Sequence, residues 1–216
     1  MTIYQRGHEA ATATTAEGDR RWRILGGGTL LVAALLLLLA SILEANPITH
    51  PADHDAGFWL FAIVYSLSSI LFLLAVFPLA FGSSGSNGIV SDSALGKTGL
   101  IAFGVFCLVS RELYLVGTYF TNRTATDTAS NLSNLASLLL FVGAIIAGIV
   151  IARRGVAQGI ARWSMLIALA ISLITTALTF TTDATATIRV LDCISALGQA
   201  FAGYTYLTAK TTRTRR

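Results

Sequence analysis

Apolar residues along the chain fall into six long runs that are separated by short polar segments. The runs cover residues 24–43, 58–81, 98–119, 132–152, 163–180 and 187–208. A helix needs about 20 mostly apolar residues to cross a hydrocarbon core of about 30 Å, and each run is close to that length. A helix also satisfies its own backbone hydrogen bonds, as a membrane span must. The pattern therefore predicts an all-α integral membrane protein, a bundle of six transmembrane helices.

The segments that flank the runs differ strongly in charge. Residues 1–23 are predicted to be a disordered cytoplasmic tail, and residues 209–216 a basic cytoplasmic tail that contacts anionic lipid headgroups. The two tails, the loop between runs two and three and the loop between runs four and five contain most of the basic residues: Arg6, Arg20, Arg21, Arg23, Lys97, Arg153, Arg154, Arg162, Lys210, Arg213, Arg215 and Arg216. The opposite loops contain Arg123, with Arg189 at the edge of run six. By the positive-inside rule, both termini are predicted to be cytoplasmic.

Composition supports a membrane protein. Hydrophobic residues make up 54% of the chain and charged residues 12%, about half the charged fraction of a soluble domain. The net charge of +4 comes from residues beside the apolar runs, so the sequence predicts no nucleic-acid partner. Arginine far outnumbers lysine, and this bias, together with the many alanines, is typical of a GC-rich bacterial genome. We therefore expect a multi-pass protein of the bacterial plasma membrane.

Four ionisable residues lie inside the predicted spans: Arg111 and Glu112 in the third, Arg189 and Asp192 in the sixth. Such residues are costly in a membrane and are candidates for function. Tyr114 and Gln199 lie on the same helices, at spacings that place them near these charges. The six residues predict a polar crevice that opens toward the extracytoplasmic side. An architectural alternative, in which the charges only fix the register of the helices, stays open.

The depths of these charges also predict how they pair. With a rise of 1.5 Å per residue, Arg111 and Asp192 differ in depth by about 4 Å, which an arginine side chain can span. We therefore expect an ion pair between Arg111 and Asp192 that joins helices three and six as neighbours. Arg189 is predicted to pair with Glu112 or to extend to the headgroups.

The first extracytoplasmic loop contains a second group of polar residues, with His50, Asp53 and His54 close together after Glu44. Imidazole and carboxylate groups are ligands for zinc and other divalent metals. The spacing matches no tight metal motif, and Pro47 and Pro51 are typical of a turn-rich loop. A solvated polar loop is therefore favoured over a metal site, and no other cofactor is predicted.

Two classes of function fit this pattern. The first is binding or transport of a small solute or ion through the polar crevice. The second is a non-catalytic accessory or scaffolding subunit of a larger membrane complex, whereas a transporter of six helices is expected to form a homo-oligomer. Gly143 with Ala147, and Ala144 with Gly148, form small-residue faces suited to packing against a neighbouring helix. An enzyme is not predicted, because the predicted spans contain no histidine and no catalytic constellation.

Overall fold

The computed structural model describes residues 22–45, 56–82, 88–120, 123–154, 156–182 and 184–210. The described residues form six helices, numbered here in chain order: α1 Arg23–Ala45, α2 Ala56–Phe81, α3 Ala94–Tyr119, α4 Arg123–Arg154, α5 Ser164–Thr179 and α6 Thr185–Leu207. The first turns of α1, Arg23–Gly28, are π-helical, and a short 3-10 turn, Gly159–Arg162, precedes α5. The prediction of an all-α fold is confirmed.

Four of these helices are long and apolar enough to cross a membrane: α1, α2, α3 and the part of α4 from Thr126 to Arg154. Helix α5 is apolar but has 16 residues, which gives a length of about 24 Å. Helix α6 has 23 residues and carries Arg189, Asp192 and Gln199 among its apolar positions. The four long helices are compatible with a multi-pass membrane protein.

Local sequence explains several helix ends. The side chain of Ser93 accepts a hydrogen bond from the backbone N–H of Gly96 and caps the start of α3, four residues before the predicted start. Gly82 follows α2 with a positive φ of 70° and donates its N–H to the carbonyl of Pro78, which is a typical glycine C-cap. Helix α4 begins at Arg123, nine residues before the predicted start at 132.

The six helices form a ring in chain order, and the ring closes between α1 and α6. Glycines permit the closest approaches. A Cβ atom added to Gly27 would lie 2.5 Å from the backbone nitrogen of Leu207, and one added to Gly203 would lie 2.5 Å from that of Leu31. Because these neighbours are backbone atoms, no side-chain movement could make room for a larger residue. The first and last helices of the ring are therefore in direct backbone contact.

Small residues also bring α3 and α4 together. A Cβ atom on Gly99 would lie 2.9 Å from the backbone nitrogen of Ala147, and one on Gly143 would lie 2.8 Å from that of Phe103. On the neighbouring face of α4, Gly148 packs against Leu166 of α5. Both small-residue faces of α4 are thus occupied within the chain, so they give no support to a surface for another subunit.

The outer surface of the ring is apolar. Large side chains such as Ile63, Leu138 and Val190 are about three-fifths exposed, at 62%, 61% and 58%. Basic residues gather at one end of the ring, which we call the basic end: Lys97, Arg154, Arg162 and Lys210. At that end the backbone N–H of Gln158 donates to the carbonyl of Lys210. The apolar outer surface of the ring is compatible with contact to lipid.

Candidate functional site: a central cavity and a buried glutamate

A cavity of about 280 Å³ lies inside the ring and is lined by residues from all six helices. This volume is near the lower end of the range for small-molecule sites, about 300–1,000 Å³. Helical spacing explains the lining. Leu100, Cys107 and Arg111 recur on one face of α3, and Ser195, Gln199 and Tyr206 recur on one face of α6. Ser195, Gln199 and Tyr206 therefore share the face of α6 that lines the cavity.

The cavity has two parts of different chemistry. The part away from the basic end, here called the polar layer, is formed by Ser110, Arg111, Asn134, Ser137, Ser172, Thr176, Ser195 and Gln199. The part nearer the basic end, here called the apolar chamber, is formed mainly by Leu79, Ile89, Leu100, Ala144, Ile151 and Met165, and Tyr206 also lines it. The cavity thus extends farther toward the basic end than the predicted crevice.

Arg111 is the charged residue of the cavity lining. Its guanidinium lies 4.4 Å from the ring centroid of Phe72, donates to Oε1 of Gln199 at 3.1 Å and to Oγ of Ser68 at 3.4 Å. The ion pairs formed among the described residues involve Arg189, Glu44 and Asp192, and Arg111 takes part in none of them. Arg111 is therefore a cation in a mostly enclosed site whose partners in the described chain are neutral.

Serine hydroxyls join the helices around Arg111. The hydroxyls of Ser110 and Ser137 lie 2.6 Å apart and link α3 to α4, while those of Ser172 and Ser195 lie 2.9 Å apart and link α5 to α6. Nε2 of Gln199 donates to Oγ of Ser195 at 3.4 Å. A hydroxyl can turn to donate or accept, so these serines can form hydrogen bonds with either the donors or the acceptors of a ligand.

The polar layer reaches the surface between α4 and α5. Asn134 and Thr176 line the cavity and are both exposed. Helices α4 and α5 make far fewer contacts than the other neighbouring pairs in the ring, and Gly148 and Leu166 bring them together nearer the basic end. The cavity therefore has an opening at the side of the ring, between α4 and α5.

A second polar site, here called the Glu44 cluster, consists of Glu44, Tyr114, Tyr119, Arg189 and Asp192. Nη1 of Arg189 lies 2.7 Å from Oε2 of Glu44 and 3.6 Å from Oδ2 of Asp192. The hydroxyls of Tyr114 and Tyr119 both donate to Oε1 of Glu44, at 2.9 and 2.8 Å. The side chain of Glu44 is 7% exposed. Arg189 balances its charge, and the two tyrosines donate hydrogen bonds to it within the protein.

Two predicted ion pairs are wrong. Asp192 pairs with Arg189 on its own helix and not with Arg111, and Arg189 pairs with Glu44 and not with Glu112. Helices α3 and α6 face each other across the ring rather than packing side by side, and Gln199 rather than Asp192 meets Arg111. The prediction rested on depth alone and did not include the direction in which each side chain points.

Glu112 lies apart from both sites, between α2 and α3. Its Oε2 accepts a hydrogen bond from Ser66 at 2.9 Å, while its buried Oε1 has no hydrogen-bond partner in the described chain. The structure thus divides the six predicted site residues. Arg111 and Gln199 meet at the cavity, Tyr114, Arg189 and Asp192 meet at the Glu44 cluster, and Glu112 joins neither.

Sequence reasoning missed Glu44 as a site residue because it placed this residue just beyond the end of the first helix. Helix α1 continues to Ala45. The buried face of α1 includes Ala33, Ala40 and Ser41, and the same three- and four-residue spacing reaches Glu44. That spacing was the available signal. Tyr119, at the last turn of α3, had no comparable signal in the sequence.

The predicted metal ligands His50, Asp53 and His54 lie outside the described residues. Within the ranges that the structure covers, no group of three histidine, cysteine, aspartate or glutamate side chains is placed to hold a metal ion. The metal site in the loop therefore stays a prediction.

Comparison of the chain with protein-family models, with curated proteins and with solved structures finds no match.

Proposed function

We propose that the protein crosses the bacterial plasma membrane six times, with both termini in the cytoplasm, and binds a small solute in its central cavity for transport or sensing. In this arrangement α5 and α6 complete the bundle as the two remaining spans. The basic end faces the cytoplasm, in keeping with the positive-inside rule. The gap between Asn134 and Thr176 then opens in the extracytoplasmic half of the bilayer.

The observation that carries this proposal is Arg111. A purely architectural arginine in a membrane is expected to pair with a carboxylate, as Arg189 does with Glu44 at 2.7 Å. Arg111 instead faces a cavity, where its partners Ser68 and Gln199 are neutral. An enclosed cation of this kind, beside hydroxyls that can rotate, suits an anionic or strongly polar solute.

Filling the cavity tests the proposal. Ala144 lines the cavity and is 2% exposed, so Ala144→Phe should occupy the space that a solute needs. The measurement is binding and uptake of labelled small anions, from acetate and phosphate to longer carboxylates, by the purified protein in proteoliposomes. We expect Ala144→Phe to reduce binding at least about tenfold, the equivalent of 1.4 kcal/mol.

The matched control is Ala170→Phe, which makes the same change at an exposed position of α5 outside the cavity lining. This variant should keep wild-type binding. The proposal is contradicted if no member of the anion series binds the wild type, or if the two variants bind equally well.

The alternative, an accessory subunit of a larger complex, predicts a different result. It requires stable copurification of the full chain with other membrane proteins and no solute binding by the purified chain. The internal packing of Gly143 and Gly148 weakens this alternative, because the small-residue faces that favoured it are already covered.

A further inference from the structure

We infer that the solute is a single-chain amphipathic anion, with a carboxylate or phosphate head at Arg111 and an alkyl chain in the apolar chamber. This inference rests on the proposed function and specifies its ligand. It follows from three features of the cavity: the charge of one part, the apolar lining of the other, and the sideways opening between α4 and α5.

The head of the ligand is inferred from the polar layer. The described residues that line the cavity include one cation, Arg111, and no carboxylate. A guanidinium has five N–H donors in a planar fork that matches two oxygens of a carboxylate or phosphate. Ser110 and Ser195, on opposite sides of the ring, add hydroxyls that can donate to the same anion. A cationic ligand would instead place like charges together.

The tail of the ligand is inferred from the apolar chamber. Leu100 and Arg111 are eleven residues apart on α3 and both line the cavity, so the lined length along this helix is about 16 Å. The walls beyond the polar layer include Leu79, Ile151 and Met165. A small hydrophilic anion would leave this apolar volume without a partner, and an apolar cavity does not hold water well. An alkyl chain fills it.

The route of entry agrees with an amphiphile. The gap between α4 and α5 lies in the side of the ring, and exposed apolar side chains such as Leu138 and Ile174 lie on the outer surface of these two helices. Asn134 and Thr176 provide polar groups at this opening. An amphipathic anion concentrates at a membrane surface with its head at the polar boundary, so it can reach Arg111 through the gap without leaving the bilayer.

The experiment measures binding to the full chain in nanodiscs of phosphatidylcholine, with empty nanodiscs as the blank for partition into lipid. The probe is labelled octanoate, with acetate, hexanoate, decanoate, octyl phosphate, octanol and octylamine as competitors. Once partition into lipid is subtracted and affinity is expressed against the free concentration in water, each added methylene should raise the affinity of a carboxylate about fourfold. The increase should stop when the chamber is full. Octanol and octylamine should compete at least about tenfold less well than octanoate.

Variants of Arg111 test where the anionic head of the ligand binds. Arg111→Gln should lose at least about tenfold in octanoate binding, and Arg111→Lys should keep part of it. The control Arg154→Gln removes a positive charge from an exposed position at the basic end and should bind as the wild type does. The comparison of competitors on the wild type needs no variant, so it holds even if an Arg111 variant does not fold.

Each outcome decides a separate point. A steep dependence on chain length with a preference for anions supports the inference, and the order of octanoate and octyl phosphate assigns the head as carboxylate or phosphate. If acetate competes as well as octanoate, or if octanol does, the inference is overturned while solute binding in the cavity stands. If nothing binds beyond the blank, both the inference and the proposed function fail.

Discussion

At the scale of single residues, Arg111 and Arg189 have opposite surroundings. Arg189 contacts the carboxylates of Glu44 and Asp192, whereas Arg111 contacts an aromatic ring, a serine and an amide. A charge that neutral groups surround is stabilised less than one in an ion pair. We therefore expect Arg189 to stabilise the fold and Arg111 to be available to a ligand.

This difference predicts unequal costs of mutation. Glu44→Gln removes the partner of Arg189 at 2.7 Å and leaves that guanidinium, 22% exposed, with Asp192 at 3.6 Å. We expect the free energy of unfolding to fall by roughly 3 kcal/mol, because breaking a buried pair strands the other charge. Thermal unfolding in detergent, followed by the loss of monodisperse protein, measures this change.

The matched control is Asp127→Asn, which removes a carboxylate from an exposed position on α4 and should change stability by less than about 0.5 kcal/mol. The double variant Glu44→Gln, Arg189→Gln should regain part of the loss, since it also removes the guanidinium that lost its nearer partner and leaves only Asp192, whose side chain is 44% exposed. Strict additivity of the two single variants would show that the pair is not coupled.

At the scale of helices, two glycines of α4 make different contacts, one with backbone and one with a side chain. Replacing each of them with alanine should therefore lower stability by different amounts. Gly143→Ala would place its Cβ 2.8 Å from the backbone nitrogen of Phe103, whereas Gly148→Ala would meet the flexible side chain of Leu166 at 2.6 Å. The first contact requires α3 and α4 to separate, so we expect Gly143→Ala to cost about 1–3 kcal/mol and Gly148→Ala less. Equal melting temperatures of the two variants would be inconsistent with this packing.

The helices themselves were predictable to different degrees. The apolar runs gave α1, α2, α5 and α6 to within about two residues at each end, because burial of apolar side chains and the helical period are local properties of the sequence. The start of α4 was not predictable in this way. Its first turns contain Asp127, Ser130 and Asn131, which are polar and carry no apolar signal.

The site was less predictable than the helices. Sequence identified Arg111, Gln199 and Arg189 as candidates, because polar residues in an apolar run are conspicuous. It could not supply their partners, since these depend on which helices are neighbours and on the direction of each side chain. Ser68 of α2, which contacts Arg111, and Glu44 of α1 are far from their partners in sequence.

At the scale of the whole molecule, the orientation in the membrane can be tested directly. We expect a cytoplasmic basic end, so alkaline phosphatase fused after Val156, between α4 and α5, should be inactive. A fusion after Thr182, between α5 and α6, should be active, because the phosphatase folds only outside the cytoplasm. A cytoplasmic reporter at the same positions should give the reverse pattern. Strong phosphatase activity from the Val156 fusion would show that the orientation is the reverse of the proposed one or that the six-span arrangement is wrong.

The contact between the first and last helices has a consequence for the synthesis of the protein. Ribosomes deliver α1 long before α6, yet Gly27 of α1 packs on Leu207, Arg23 donates to the carbonyl of Ala209, and Glu44 pairs with Arg189. In the proposed six-span arrangement α1 enters the membrane before α6, so the carboxylate of Glu44 lacks Arg189 until α6 is in place. We therefore expect a chain that ends before α6 to be degraded faster than the full-length protein.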